Sequence, residues 1–191
     1  MLFRSPHDHD PALGRLATAG RPSLGWEVRI GELGEIQVRG AQPLPGYWND
    51  TAATAATLTP DGFYRTGDVG TLDADGFITI VERLKDVVIT GGENVYPAEV
   101  EAVLARHPAV ADVAVIGIPD DRWGETLHAV VVAAPGFDTA KLLSWARERL
   151  AGFKCPASVT LVPELPRNAT GKLLRAALRE PFWAGRERRV S

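Results

Sequence analysis

Three polar segments carry the residues of this chain that could do chemistry. The first, 64–68, has the sequence Tyr-Arg-Thr-Gly-Asp, and Asp68 directly follows a glycine, so its carboxylate can meet a ligand lying close to the backbone. A carboxylate placed in this way can hold the two neighbouring hydroxyls of a ribose, as acidic residues do in dinucleotide sites. On its own, the segment is more typical of a turn in which Asp68 caps the backbone and Arg65 is a solvated charge.

The second segment, 83–97, joins a charged stretch to a pair of glycines. Arg83 offers several donors in a fixed geometry to phosphate or ribose oxygens. Gly91 and Gly92 have no side chains, so a thin ligand or another part of the backbone can pass them without obstruction. The spacing alone is equally compatible with a linker that ends in a glycine turn.

The third segment, 166–172, has the sequence Pro-Arg-Asn-Ala-Thr-Gly-Lys and precedes a predicted helix. Lys172 follows a glycine-containing loop, and its long side chain can bring a positive charge into a separate site. There the ammonium group could neutralise the charge that develops on a phosphoryl oxygen. By itself, a solvated loop lysine is the simpler interpretation.

Two acidic clusters suggest metal ions but have simpler explanations. The segment 7–10, His-Asp-His-Asp, could hold a metal, yet a polar start without periodicity is more typical of an unstructured terminus. Asp73 and Asp75 resemble the start of a calcium loop, but the twelfth loop position is Leu84 where such a loop needs a glutamate. A hairpin turn is therefore the better interpretation. We predict no metal site in this chain.

The overall composition excludes several classes of partner. The 191 residues include 21 basic and 24 acidic side chains, and a net charge of −3 argues against binding to nucleic acid or an anionic lipid surface. The longest apolar run, 129–134, is far too short to cross a bilayer, and the first residues contain no signal-like apolar stretch. The single cysteine, Cys155, shows no nucleophile–base pattern and cannot form an internal disulfide, so we expect a cytoplasmic protein.

The first half of the chain is predicted to be mostly β-structure. After a loose lead-in, alternating apolar and polar residues predict one hairpin, and an Asp-Ala-Asp-Gly turn predicts a second. Between them lies a short predicted helix with Asn49 or Asp50 as its cap. The predicted strands are 26–30, 35–39, 69–72 and 77–81, and the helix is 51–56.

Beyond the charged stretch 82–86, helices and strands are mixed, which predicts an α+β fold. Pro97 suits the first turn of a helix that ends before Pro108, and Thr139 is the predicted cap of a helix with the apolar stripe Leu142, Leu143, Ala146 and Leu150. A final helix begins near Leu173. The predicted strands are 87–89, 110–118, 127–133 and 159–162.

The three polar segments, in this order, resemble motifs of the adenylate-forming (AMP-binding) superfamily, which includes acyl-CoA synthetases, luciferases and adenylation domains of peptide synthetases. The segments 31–36 and 46–48 add to this similarity, which is closest to fatty-acid or aryl acid–CoA ligases. The resemblance implies a small mixed α/β C-terminal domain preceded by the β-rich end of a large N-terminal domain. The implied divisions are a lead-in (1–20), a remnant of the large domain (21–82), a hinge (83–86), the C-terminal domain (87–180) and a basic tail (181–191).

The resemblance also implies roles for single residues in forming an acyl-adenylate from a carboxylic acid and ATP. Asp68 would bind the ribose hydroxyls of ATP and acyl-AMP, and Arg83 would contact the ribose or phosphate. Lys172 would bridge the substrate carboxylate and the α-phosphate. Pentavalent phosphorus carries negative charge in that step, so a mobile lysine suits it physically.

In the second reaction, CoA would take the acyl group from AMP. Lys85 would be the hinge about which the small domain rotates between the two reactions. Gly91 and Gly92 would line the passage of the pantetheine thiol, and Lys154 would hold the nucleotide end of CoA. Some relatives have a further basic residue where this chain has Cys155, so the expected grip on CoA is weaker here.

Several parts that the complete reaction needs are not recognisable in this sequence. They are the phosphate loop, the acyl pocket and the segment that serves ATP and Mg²⁺ in the intact enzyme. We therefore expect this chain to be the C-terminal part of an ATP-dependent, AMP-forming acyl-CoA ligase that is inactive alone. The alternatives are a non-catalytic module that completes a separate N-terminal half in trans, and a decayed gene fragment.

Overall fold

The computed structural model describes residues 2–3, 8, 14–40 and 46–186. Within it the chain divides between Leu84 and Lys85 into two compact units. The histidines of segment 7–10 and the end of the predicted basic tail, 187–191, lie outside the described residues. No helix in the described ranges is long and apolar enough to cross a membrane.

The first unit is built on a four-stranded antiparallel sheet in the order β3-β4-β5-β6. A separate two-stranded pair, β1 with β2, precedes it. The buried centre of the first unit contains Ile36, Phe63, Val69, Phe77 and Ile78. The strands are β1 (Leu2–Phe3), β2 (Arg21–Pro22), β3 (Trp26–Ile30), β4 (Glu35–Gly40), β5 (Tyr64–Leu72) and β6 (Ile78–Arg83).

Both predicted hairpins of this unit are confirmed. β3 pairs with β4 around a one-turn 3-10 helix, Glu32–Gly34. In the second turn, the Asp73 carboxylate accepts hydrogen bonds from the backbone N–H groups of Asp75 (2.9 Å) and Phe77 (2.8 Å), and Gly76 has a φ of 82°. Asp73 thus caps the hairpin turn, which is the interpretation that the sequence favoured instead of a calcium loop.

Helix α1 (Thr51–Ala56) confirms Asp50 as the cap, since its carboxylate accepts a hydrogen bond from Ala53 N at 2.8 Å. Strand β5, in contrast, begins at Tyr64, five residues before its predicted start at 69. Pairing with β4, which joins Val38 to Tyr64, extends β5 through the polar segment. Cross-strand pairing therefore overrides the weak local β-pattern there.

The second unit places three helices on a five-stranded mixed sheet, which confirms the α+β class. Strand β10 is central: it pairs antiparallel with β9 and β7 and parallel with β11. The strands are β7 (Val88–Thr90), β8 (Glu93–Val95), β9 (Val110–Asp120), β10 (Gly124–Ala133) and β11 (Ser158–Leu161). The helices are α2 (Pro97–Leu104), α3 (Thr139–Arg147) and α4 (Arg175–Trp183).

Two apolar clusters hold this second unit together. The larger one joins Val100 and Leu104 of α2 with Leu142 and Ala146 of α3, all with 0% exposure, to strand residues such as Val131. The apolar stripe predicted for α3 contains Leu142 and Ala146, which this helix buries. The smaller cluster contains Ala114, Ile116, Val130 and Leu165, against which Leu178 of α4 packs.

Several predicted boundaries in this unit were wrong by one to three residues. The cap of α3 is Asp138, whose carboxylate accepts a hydrogen bond from Lys141 N at 2.9 Å, so Thr139 is the first residue of the helix. An aspartate that reaches the third helical N–H satisfies it with a charged acceptor. Helix α4 begins at Arg175, two residues after the predicted Leu173.

Candidate functional site

Asp68 and Arg83 form a cross-strand pair in the first unit. They face each other in the register of β5 and β6, and Arg83 Nε lies 2.9 Å from Asp68 Oδ1. The Asp68 side chain is 26% exposed and that of Arg83 is 49% exposed, so both remain accessible to a ligand. A carboxylate beside a guanidinium offers acceptors for hydroxyl groups and donors for phosphate or ribose oxygens at one place.

The backbone around Asp68 is fixed by its neighbours. Gly67 has a φ of 69°, and its N–H donates to the buried carboxylate of Glu35 at 3.1 Å. The Thr66 hydroxyl donates to Ile36 O at 2.7 Å and accepts a hydrogen bond from Asp68 N at 3.1 Å. Glu35 is only 3% exposed, so the strand carrying Asp68 is anchored on a buried carboxylate that no local sequence pattern indicates.

Arg65 has a structural partner in the same region. Its Nη1 lies 3.3 Å from Glu35 Oε2, where it provides a positive charge to a buried carboxylate. Gln37 also donates to Glu35 Oε2, at 3.2 Å. Arg65 therefore supports the segment that carries Asp68.

In the second unit, a network of hydrogen bonds shapes the loop that carries Lys172. The Asn168 side-chain oxygen accepts hydrogen bonds from Thr170 N at 3.0 Å, from the Thr170 hydroxyl at 2.7 Å and from Lys172 N at 2.9 Å. Gly171 supplies the positive φ of 81° that the turn needs. Arg167 donates to Gly171 O at 3.0 Å and pairs with Asp112 at 2.8 Å.

The Lys172 side chain itself is exposed and has no hydrogen-bond or ion-pair partner in the part of the chain that the structure describes. Its backbone is held by Asn168, whereas its ammonium group extends into solvent. A lysine with a fixed backbone and a solvent-exposed ammonium group can bring a positive charge to a ligand.

Gly91 lies at the edge of a groove of about 560 Å³ in the second unit. Trp123, Arg147, Phe153 and Cys155 are among the other residues that line it. Gly91 has a φ of 59°, and its N–H donates to Trp123 O at 3.0 Å. The groove thus combines two aromatic side chains, about half exposed, with the Arg147 guanidinium and the Glu93 carboxylate.

Gly92 lines a different, smaller cleft of about 240 Å³, which also contains Trp123 and Trp183. The structure therefore places the two predicted glycines on neighbouring cavities that share Trp123. Gly92 has a φ of 89°. Glycine suits both positions because L side chains rarely adopt such backbone angles.

Lys154 does not line the groove. Its ammonium group donates to both carboxylate oxygens of Glu99 at 2.7 Å, which neutralises much of its charge. Arg147, at the end of α3, lines the groove instead. Arg147 could not be predicted from the sequence, because only the packing of α3 brings it beside the segment 152–157.

Two residues remain to be placed: Cys155, and Lys85, which the sequence predicts as the hinge. Burial raises the pKa of the Cys155 thiol above its ordinary value, so the thiol stays protonated near neutral pH. Lys85 lies in a 3-10 turn, Leu84–Asp86, at the division between the two units. Asp68 and Arg83 belong to the first unit, whereas Lys172 and the groove belong to the second.

Comparison with known proteins identifies what this arrangement is similar to. Residues 99–172 match the family described as the AMP-binding enzyme C-terminal domain. The chain is 52% identical over 175 residues to a 3-[(3aS,4S,7aS)-7a-methyl-1,5-dioxo-octahydro-1H-inden-4-yl]propanoyl:CoA ligase of Rhodococcus jostii (strain RHA1), covering 91% of this chain and 34% of the relative. It is 47% identical to a feruloyl-CoA synthase of an Amycolatopsis species, covering 88% of this chain and 36% of the relative.

Solved structures give the same result. ATP-bound MatB from Rhodopseudomonas palustris superimposes with a TM-score of 0.82 at 36% identity, covering 98% of this chain and 39% of that one. The o-succinylbenzoate CoA synthetase MenE from Bacillus subtilis, in complex with the acyl-adenylate OSB-AMP, gives 0.76 at 39% identity, covering 92% and 37%. The chain spans about a third of the length of the curated relatives that it matches.

Proposed function

We propose that the chain is the C-terminal portion of an adenylate-forming enzyme of the acyl-CoA ligase type, and that it supplies the mobile lysine and a groove for CoA in such a ligase. The overall reaction joins a carboxylic acid to CoA, with ATP converted to AMP and pyrophosphate. The observation that carries the proposal is Lys172, whose exposed ammonium group has no partner among the described residues and stands on a hydrogen-bonded loop within a domain that matches this family.

In the first half-reaction, an oxygen of the acid's carboxylate attacks the α-phosphorus of ATP and pyrophosphate leaves. Lys172 places its positive charge on the carboxylate and α-phosphate oxygens, where negative charge develops. The Asp68 carboxylate accepts hydrogen bonds from the ribose hydroxyls, and Arg83 beside it contacts the ribose or phosphate. Both groups position the nucleotide while Lys172 acts on the reacting atoms.

Mg²⁺ is expected to accompany ATP in the intact enzyme. Within the described ranges no cluster of three or more histidine, cysteine, aspartate or glutamate side chains could hold a metal ion. We therefore assign none of the described residues to the metal.

In the second half-reaction, the CoA thiolate attacks the acyl carbonyl of acyl-AMP, and AMP leaves. The groove beside Gly91 suits the nucleotide end of CoA because Trp123 and Phe153 offer faces for a purine ring. Arg147 offers a cation for its phosphates. Lys154 is held by Glu99, so we assign the main charge contact with CoA to Arg147 and a supporting one to Lys154.

We further propose that the 191-residue chain does not catalyse alone. The chain spans about a third of the length of its relatives, and the proposed chemistry needs a phosphate loop and an acyl pocket that we do not recognise in it. Its partners would be the acyl-adenylate and CoA, and a separate N-terminal half if the two parts act in trans.

An ATP–pyrophosphate exchange assay with a panel of fatty and aryl acids tests this proposal. We expect no exchange from the chain alone, and exchange when a large N-terminal half is present, either fused or added separately. Robust exchange by the isolated chain would contradict the proposed incompleteness. No exchange by an assembly that binds ATP and the acid would contradict the assigned role in adenylation.

A further inference from the structure

Arg179, on helix α4, holds the first residues of the second unit. Its guanidinium Nη1 donates to the Lys85 backbone carbonyl at 3.0 Å and to Asp86 Oδ1 at 2.8 Å. The side chains of Arg179 and Asp86 are only 13% and 10% exposed. Sheltered, charge-assisted bonds of this kind are less screened and more directional than surface ion pairs.

A second arginine extends this contact into the body of the unit. Arg175 Nη2 donates to Glu101 Oε2 of helix α2 at 3.0 Å, and its Nε lies 3.9 Å from Asp86 Oδ2. Glu101 Oε1 accepts a hydrogen bond from Val115 N of β9 at 2.7 Å. The network therefore joins the turn Leu84–Asp86, both helices and the sheet through charged groups.

Helix α4 is also joined to the loop that carries Lys172. Leu174 N donates to Pro166 O at 2.9 Å, and an isolated bridge pairs Arg167 with Leu173. At the other end of the helix, Trp183 Nε1 donates to Gly117 O at 2.9 Å. The lysine loop and the turn at residues 84–86 are thus attached to the same helix.

We propose that Arg179 is a positioning residue that clamps residues 85–86 to α4. A rotation at the predicted hinge, Lys85, then moves residues 85–86 and the loop of Lys172 together. The proposal rests on the proposed function, in which the small domain turns between the two half-reactions. With Lys85 O and Asp86 fixed to the helix, the rotation is confined to bonds before the clamp. Each degree of turning then moves the lysine loop as part of one rigid body.

Hydrogen exchange on the complete 191-residue chain tests the clamp without any need for turnover. Arg179→Ala is expected to accelerate exchange of the amides in 84–88 by about tenfold or more, while the central strand β10 keeps its protection. Arg179→Lys keeps the charge on a shorter side chain whose nitrogen falls short of the position of Nη1, so it should restore only part of the protection. Unchanged exchange at 84–88 in Arg179→Ala would overturn the proposal.

Glu101→Gln is the matched control, because it weakens the same network on the side away from residues 85–86. It leaves both contacts of Arg179 in place, and we expect exchange at 84–88 to stay within about twofold of the parent chain. If this variant accelerated exchange at 84–88 as much as Arg179→Ala does, Arg179 would be an anchor of α4 only, and the clamp would be refuted.

The functional consequence is measured in an assembled ligase. Loss of the clamp is expected to slow ATP–pyrophosphate exchange by about tenfold to a hundredfold with little change in the KM for ATP, because small misplacements of a reacting group such as the Lys172 ammonium are costly. Loss of ATP affinity with unchanged rates would contradict a positioning role. An assembly without any ligase activity would contradict the proposed function, whereas the exchange result would still decide the clamp.

Discussion

Substituting Gly91 by alanine tests whether the groove beside Trp123 binds CoA. Gly91 has a φ of 59°, and an alanine Cβ at this position would lie 3.0 Å from Trp123 Cε3. The backbone strain costs about 1–2 kcal/mol, since an L-residue there is left-handed. Displacing the indole by a few tenths of an ångström adds about 1 kcal/mol of overpacking.

Gly136→Ala is the matched control for this substitution. Gly136 has a φ of 83°, and nothing lies within 4 Å of a Cβ built on it. The free energy of unfolding of Gly136→Ala, measured in urea, should therefore fall only by the strain energy of about 1–2 kcal/mol. The extra loss of about 1 kcal/mol in Gly91→Ala then isolates the contact with Trp123.

Titration with CoA, followed by tryptophan fluorescence and calorimetry, connects the contact to binding. A shifted indole that must return to its place before CoA binds costs about 1 kcal/mol, so Gly91→Ala should lower the affinity about fivefold. Gly136→Ala should bind as tightly as the parent chain. Equal affinities for the two variants would refute the assignment of this groove to CoA.

Three further predictions concern the stability of the second unit. Leu142→Ala should lower the free energy of unfolding by about 2–5 kcal/mol, and Leu143→Ala by less, because Leu142 is fully buried; urea unfolding measures both. Asp138→Ala should cost about 1 kcal/mol and Thr139→Ala under about 0.5 kcal/mol, and equal losses would contradict the observed cap. Burial lowers the pKa of His128 below 6.5, so the unfolded chain takes up a proton before the folded chain does as the pH falls. The free energy of unfolding should therefore decrease below about pH 7, by at most about 1.4 kcal/mol per pH unit. Urea midpoints measured at about pH 7.5 and about pH 5.5 should show this decrease in the parent chain and not in His128→Gln.

Local turn and capping chemistry accounts for the elements that could be predicted from the sequence. Glycines and aspartates with specific backbone roles, such as Gly76 and Asp50, placed the hairpin and the first helix correctly. The helix-period apolar residues identified the face that α3 buries. These signals depend on residues close together in sequence.

The parts that could not be predicted depend on contacts between distant residues. Lys154 is bound by Glu99, which is 55 positions away, and Asp68 is positioned through Gly67 by Glu35, which is 32 positions from that glycine. The strand β5 extends through the polar segment because of its partner β4, although its own pattern is weak. No local pattern contains these pairings, so the positions of single charges in a site require the fold.

The half-reactions of Lys172→Ala test the central claim most directly. In an assembled ligase, the variant should slow ATP–pyrophosphate exchange by about 10²–10³-fold, the cost of losing one preorganised charge at the reacting phosphate. Transfer of the acyl group from preformed acyl-AMP to CoA should change by less than about threefold, because that step does not use the lysine. Lys141→Ala, which removes an exposed lysine from α3, should affect neither reaction. Equal loss in both half-reactions would contradict the role assigned to Lys172.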